Sequence, residues 1–158
     1  MANPGNLKHG ARMNNKAQPE YTIWRAMKSR CRNPKTAHYD QYGGRGIRVC
    51  MPWNSFEQFL KDMGPRPSPQ HTIDRINNNR GYNKKNCRWA TMKEQQNNRR
   101  NNVRVEIEGE VKTLSQWCEI YGIHISTVNK RTDRGWTIVD ALQKPLLRNR
   151  KKKQTQET

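Results

Sequence analysis

A chain of 158 residues has room for one modest domain, or for two small ones with tails. Lysine and arginine total 31 against 13 aspartates and glutamates, a formal net charge of +18 that points to a polyanionic partner, most commonly a phosphate backbone. No apolar run reaches the roughly 20 residues a bilayer-spanning helix needs, and residues 1–20 contain no apolar leader core, so neither a membrane span nor secretion is expected.

The charge is unevenly spread. Residues 1–20 carry +2, residues 21–100 carry +12, residues 101–145 carry 0 and residues 146–158 carry +4. The first segment is polar, with Gly, Pro and Asn, and reads as a flexible arm; His9 lies in it and is given no role. Pro19 suits the first turn of a helix, after which Tyr21, Trp24, Met27 and Cys31 recur at helical spacing. Arg25, Lys28 and Arg32 fall off that stripe and give the helix a basic side, and Asn33-Pro34 stops it. The glycines of Tyr-Gly-Gly-Arg-Gly at 42–46 mark a turn, which lacks the Gly-Lys-Ser/Thr ending of a phosphate loop and exposes Arg45. A short strand is predicted at 47–50.

Ser55-x-x-Gln58 is a capping-box pattern opening a helix with Phe56, Phe59, Leu60 and Met63 on one side, closed by Gly64 and by Pro65-Arg66-Pro67. These aromatic and methionine stripes are expected in the core. Residues 71–98, HTIDRINNNRGYNKKNCRWATMKEQQNN, then give a strand ending at the carboxylate of Asp74 and a turn rich in Asn and Gly. A strand-like Asn86-Cys87-Arg88-Trp89 follows, and an amide-rich helix starts at about Ala90. A carboxylate on a strand and amide oxygens on a helix can meet around one hard divalent cation.

Alternation across 103–111, with Glu108-Gly109 at its centre, predicts a β-hairpin. Thr113-x-x-Gln116 is a second capping box, opening a helix. Cys118, Gly122 and Val128 stand at the spacing of a helix-turn-helix: a small residue, a glycine at the turn, and a branched apolar residue in the second helix. In that second helix Asn129, Lys130 and Arg134 are candidates to face DNA; a hairpin used only for packing is the alternative. His124 falls at the turn and is given no role. The run Arg-Asn-Arg-Lys-Lys-Lys at 148–153 reads as a flexible basic tail.

Residues 71–98 resemble the ββα-metal core of the HNH endonucleases, in particular the homing enzymes encoded by phages and group I introns. Tyr-Gly-Gly-Arg-Gly at 42–46 and Asp-Met-Gly at 62–64 extend the resemblance to most of 21–100. The resemblance implies an α+β protein: a 1–20 arm, an HNH-type nuclease domain at 21–100, a β-hairpin plus helix-turn-helix module at 101–145, and a 146–158 basic tail. It implies a metal-dependent DNA endonuclease that uses Mg²⁺ or Mn²⁺ and nicks one strand of double-stranded DNA as a monomer. The setting would be the cytoplasm of a bacterial host.

Carried over residue by residue, Asp74 is a metal ligand. Asn86 is the asparagine that holds the catalytic finger together. Gln95, six beyond Trp89, stands at the helix position of a liganding Asn, and Asn98 lies three residues further on the same side. Arg75 occupies the position of the family's general-base histidine. A guanidinium stays protonated at any working pH, so Arg75 is expected to clamp the scissile phosphate instead. Water activation then falls to the metal alone or to a residue outside the motif. His71 is the nearest candidate but lies about 13 Å along an extended strand from residue 75, too far to substitute directly, which leaves His38 and Tyr82.

Arg45, Lys84, Lys85 and Arg88 are the expected DNA contacts of this domain. Cys31, Cys50, Cys87 and Cys118 form no Cys-x-x-Cys pair; reduced, buried thiols are expected and a structural zinc is not. A sequence-specific DNA-binding protein with a degenerate nuclease core is the alternative, because of Arg75. A third possibility, an RNA-associated basic protein, is disfavoured by the helix-turn-helix spacing.

Overall fold

The computed structural model describes residues 12–13 and 16–145, with side chains from residue 18 onward. The arm's remaining residues, with His9, and the basic tail at 146–158 lie outside the described residues. The fold is mixed α+β, and the chain divides between Arg100 and Asn101 into two compact units. None of the helices in the described residues is long and apolar enough to cross a membrane.

In the first unit a two-residue ladder, β1 (Arg12–Met13) with β2 (Lys16–Ala17), precedes α1 (Pro19–Arg32). Proline sits in the first turn, where a missing N–H costs nothing. Glu20 at the start, with Arg30 and Arg32 in the last turn, complements the helix dipole. The helix buries Trp24, Met27 and Cys31. It ends at Asn33, which is extended (φ −103°, ψ 107°), as the Cδ of a following proline requires. Two 3₁₀ turns, Tyr39–Gln41 and Gly43–Arg45, follow. Gly43 is required by space: a Cβ there would strike the Tyr39 ring and the Cys31 carbonyl.

The strand expected at 47–50 is reduced to one parallel bridge, Val49 to Tyr82, flanked by Cys50 N–H to Tyr82 O (2.9 Å) and Tyr82 N–H to Arg48 O (2.8 Å). Pro52 lacks a donor and the chain turns at once into a 3₁₀ helix, Met51–Asn54, so no ladder can propagate. The next helix, α2 (Phe56–Met63), is capped by Ser55, whose Oγ accepts from Gln58 N–H at 3.3 Å. The return half of the capping box is replaced: the Gln58 amide donates to Asp62 Oδ1 at 3.1 Å.

Phe56 and Phe59 enter a core shared with Trp24, Met27, Trp53, Ile73, Tyr82 and Cys87, with Trp53 and Phe59 edge-to-face at 5.0 Å. Truncating a phenylalanine as buried as Phe59 typically costs about 3–5 kcal/mol. Indole nitrogens tie the elements together. Trp24 donates to Trp53 O at 2.8 Å, Trp53 to Asp62 Oδ2 at 2.8 Å, and Trp89 to Met63 O at 2.9 Å.

Strands β3 (His71–Arg75) and β4 (Cys87–Thr91) pair antiparallel, with Asp74 opposite Arg88 and Arg75 opposite Cys87. The helix expected from about Ala90 begins two residues later, as α3 (Met92–Asn97), because Ala90 and Thr91 still pair with Thr72 and His71. Thr91 and Glu94 form a complete capping box at its start.

In the second unit β5 (Arg104–Ile107) and β6 (Glu110–Thr113) form the predicted hairpin. Its turn residues Glu108 (φ 53°) and Gly109 (φ 79°) are both left-handed, the pattern that matches strand twist in two-residue loops. Thr113 ends β6 and, with Gln116, makes a complete capping box for α4 (Leu114–Ile120). A turn through Gly122 (φ 61°) leads to α5 (Ile125–Thr132), and Cys118 and Val128 are both buried. A further helix, α6 (Ile138–Gln143), is additional to the predicted elements. It buries Ala141 and Leu142 with Val105, Ile107, Trp117 and Ile123.

Candidate functional site

Side chains alternate across a strand, so Asp74 and Arg88 share one face of the β3–β4 ladder and Arg75 and Cys87 share the other. α3 packs on the ladder and ends beside Asp74. The Asp74 carboxylate, only 9% exposed, takes three donors on Oδ2: Arg88 Nε and Nη2, each at 3.3 Å, and Asn98 Nδ2 at 3.1 Å. Asn98 Nδ2 also donates to the Arg75 carbonyl at 2.7 Å. The Asn98 carbonyl receives Asn78 Nδ2 at 2.6 Å. The residue just past α3 therefore locks the helix end to both the strand and the Asn-rich loop.

The structure thus brings together Asp74, Asn98 and Arg88. It does not bring Gln95 to them: Gln95 Nε2 donates to the Ala90 carbonyl at 2.9 Å, along its own helix start. As a cation site, one carboxylate with amide oxygens near it is the right donor chemistry for a hard divalent ion. Asp74 has the oxygen chemistry for such an ion, but Arg88 shares the carboxylate and Asn98 turns its Nδ2, a donor, toward it, so Asn98 would reach an ion only with its amide turned over. Among the described residues no three His, Cys, Asp or Glu side chains converge into a metal-binding group.

Arg75 leaves from the opposite face and is 6% exposed. Its guanidinium carbon lies 5.0 Å from the ring centres of both Tyr42 and Tyr82, and its Nη1 donates to the Arg80 carbonyl at 3.1 Å. The geometry therefore makes it a bolt between the Gly-rich turn, the bridge at Tyr82 and the loop, and does not place it beside the Asp74 carboxylate. Of the three candidate bases, Tyr82 is buried and burial drives its phenol well above the ordinary value, so it stays protonated. His71 begins β3, with Nδ1 at 2.8 Å from Ser68 Oγ. His38 is exposed, in a left-handed conformation before the first 3₁₀ turn.

Asn86 is the hub of the 76–86 loop. Its Oδ1 accepts from Asn77 N–H at 2.9 Å, and its Nδ2 donates to Asn77 O at 3.1 Å and Gly81 O at 2.9 Å. All three side-chain bonds go to backbone, which is why the loop keeps one shape. Asn83 pins the other end, accepting from the Lys85 and Asn86 N–H groups at 3.0 Å each.

The expected DNA contacts differ in how freely they stand. Arg45 is exposed but donates to Gln41 O and to Asn79 Oδ1. Lys84 pairs with Asp62 at 3.6 Å, Lys85 is exposed, and Arg88 is engaged with Asp74. In the second unit Asn129 and Lys130 are exposed on α5, whereas Arg134 lies beyond the helix, before Gly135. The helical four-residue spacing of Lys130 and Arg134 therefore does not apply.

Two residues given no role in the sequence do have one. His124 caps α5, accepting from Ser126 N–H at 3.3 Å. Arg131 donates to the carbonyls of Ala141, Lys144 and Pro145 at the end of α6 and lies over Trp136. The first is a histidine shortly before Ser-Thr at a helix start, readable as a cap; the second has no local signal. Burial pushes the Cys87 thiol up to about 12 and raises Cys31 and Cys118 as well, so these thiols are protonated at neutral pH.

No protein-family model, curated protein or solved structure matches this chain. The functional reading rests on the chemistry of Asp74 and its neighbours Asn98 and Arg88 and on the +12 carried by residues 21–100.

Proposed function

We propose that the first unit is a metal-dependent DNA endonuclease of the HNH homing type that nicks one strand, and that the second contributes to recognition through α4, its turn and α5. The observation that carries this is the convergence of the Asp74 carboxylate and the Asn98 amide at the end of a strand–loop–strand–helix, on a segment carrying +12. Asp74 and Asn98 would hold a Mg²⁺ or Mn²⁺ ion. When bound, that ion supplies Lewis-acid chemistry for phosphodiester hydrolysis.

The chain's own residues do the rest. Asp74 provides the negative charge. Asn98, whose backbone carbonyl is held by Asn78, would offer its amide oxygen by giving up the Nδ2 bonds to Asp74 and the Arg75 carbonyl. Arg88, with its side chain 44% exposed, would be free to turn from Asp74 to a DNA phosphate were that carboxylate to hold the ion. Asn86 keeps the loop between the strands rigid. Arg45, Lys84 and Lys85 meet backbone phosphates, and Asn129 and Lys130 face the duplex from α5.

A second reading, a DNA-binding protein with a degenerate nuclease core, is favoured by one observation: the Asp74–Arg88 ion pair uses the carboxylate a cation needs, and Arg75 is turned away from it. Incubating the purified chain with supercoiled plasmid in Mg²⁺, Mn²⁺ or EDTA separates the two. Open circles with metal alone support the nuclease. Binding without open circles in either metal supports the degenerate core.

A further inference from the structure

Ile76 is 53% exposed and belongs to neither hydrophobic core of the described residues, yet the backbone that carries it is held before and after. The peptide oxygen ahead of it, from Arg75, accepts from Asn98 Nδ2 at 2.7 Å. Its own N–H donates to the Asn86 carbonyl at 2.8 Å. Behind it, the Asn77 N–H and carbonyl are both bound by the Asn86 side chain, and Asn78 Nδ2 donates to the Asn98 carbonyl at 2.6 Å. A lone exposed apolar residue is ordinary on a protein surface. One gripped by strand, loop and helix end together is not.

Its placement gives that grip a use. The Asn86 bond extends the β3–β4 pairing one residue past Arg75, and strand alternation then returns Ile76 to the side of Asp74 and Arg88, about 7 Å along the chain from Asp74. A β-branched side chain is stiff at χ1, so fixing this backbone fixes the branch as well. Asn77, Asn79 and Arg80, which follow, are exposed and polar, and Arg45 Nη2 reaches Asn79 Oδ1 at 3.0 Å from the Gly-rich turn. Proteins enter a minor groove with this set of side chains: asparagine and arginine meet its acceptors and its walls, and an aliphatic group slips between two base pairs. The +12 on residues 21–100 suits a duplex as the occupant, and not an apolar protein face.

We propose that Ile76 is a wedge that enters a base step of duplex DNA from the minor groove, beside the phosphate presented to the Asp74 centre. This rests on the reading of the protein as one that acts on DNA, and deepens it by naming the class of step it takes. Partial insertion unstacks the step and unwinds the duplex, and pyrimidine–purine steps yield most easily. The centre therefore selects flexible TA and CA/TG steps through Ile76, with no hydrogen bond from that side chain to a base.

The test binds the full chain to a plasmid being relaxed by a metal-independent topoisomerase in EDTA, so that no nicking intervenes. Unwinding at each bound wedge should leave the deproteinised plasmid underwound, read as a shift of the topoisomer ladder that grows with the protein bound. Ile76→Ala should lose most of that shift at equal occupancy, set by anisotropy, with its melting temperature unchanged. Ile76→Leu should keep it. Met51→Ala, which removes a side chain 79% exposed on the 3₁₀ helix before α2, should leave the ladder as in the wild type. A wild type that shifts nothing overturns the wedge. So does a shift that survives in Ile76→Ala, or one that falls equally in Met51→Ala. In Mg²⁺, nicks mapped by primer extension should cluster beside pyrimidine–purine steps for the wild type and lose that bias in Ile76→Ala; unbiased nicks from the wild type overturn the selection of step. If the wild type unwinds DNA but nicks in neither Mg²⁺ nor Mn²⁺, the nuclease reading falls and the wedge stands. If it nicks and Ile76→Ala unwinds as the wild type does, the wedge alone falls.

Discussion

Replacing Asp74 by alanine removes the acceptor of three donors at the end of the β3–β4 ladder. The Asn98 amide keeps its bond to the Arg75 carbonyl and Arg88 is partly in solvent, so the fold should survive. We expect Asp74→Ala to abolish metal-dependent nicking while duplex affinity stays nearly intact, measured by plasmid relaxation and anisotropy; full nicking would remove Asp74 from the centre. Arg75 behaves differently. Arg75→Ala strips two aromatic contacts and one carbonyl bond from a buried guanidinium, and should cost about 2 kcal/mol of stability by denaturant unfolding. Arg75→His should not speed nicking, because position 75 faces away from Asp74; a faster enzyme would show that the ladder re-orients. Strand alternation at Asp74 and Arg75 is legible in the sequence. That Tyr42 meets Arg75 is not, since a contact across more than thirty residues leaves no local pattern.

Among the elements, α3 depends on a cap written plainly in the sequence as Thr91-x-x-Glu94, although the amide-rich run by itself places the start nearer Ala90. The ladder pairing of Ala90 and Thr91 decides the boundary, and pairing is a tertiary fact. Thr91→Ala should cost about 1 kcal/mol, and should reduce nicking more than binding because the helix carries Asn98 into place. The same physics separates the other outcomes. Capping boxes and helical stripes announce α1, α2 and α4, whereas the strand at 47–50 fails for want of a partner longer than Tyr82. α2 also carries a pH response. The Trp53 indole above all, with Gln58 and Lys84, holds the Asp62 carboxyl below its ordinary value against the opposing pull of burial. A carboxyl that ionises more readily folded than unfolded stabilises fully above the unfolded carboxylate range, and that help drains away as pH falls through the folded pKa. Melting temperature should therefore fall on acidification, and Asp62→Asn should flatten part of the fall; an identical pH profile in the variant would assign the acid loss to other groups.

At the scale of the molecule, two units with separate cores divide unequal charge. Residues 1–100 carry +14 and residues 101–158 carry +4, with 101–145 neutral overall. Affinity that depends on counterion release follows the charge, so it should reside mainly in the first unit. Discrimination among sequences needs side chains that reach base edges, and under the proposed function the exposed Asn129 and Lys130 of α5, in the neutral 101–145 stretch, would supply them. The truncated chain 1–100 keeps its whole aromatic core, from Trp24 to Cys87, and should fold. We expect it to retain salt-sensitive binding to random duplex and the nicking of plasmid, and to lose preference for a target site selected with the full chain. In the full chain, Asn129→Ala and Lys130→Ala distinguish two ways of touching DNA. A side chain that reads a base edge should take about 1–3 kcal/mol of discrimination with it when removed. One that only meets a phosphate should lower the salt slope by roughly one and leave preference unchanged. If the truncated chain selects its target as sharply as the full one, recognition belongs to the first unit, and α4 and α5 serve to pack the second unit's core around Cys118 and Val128.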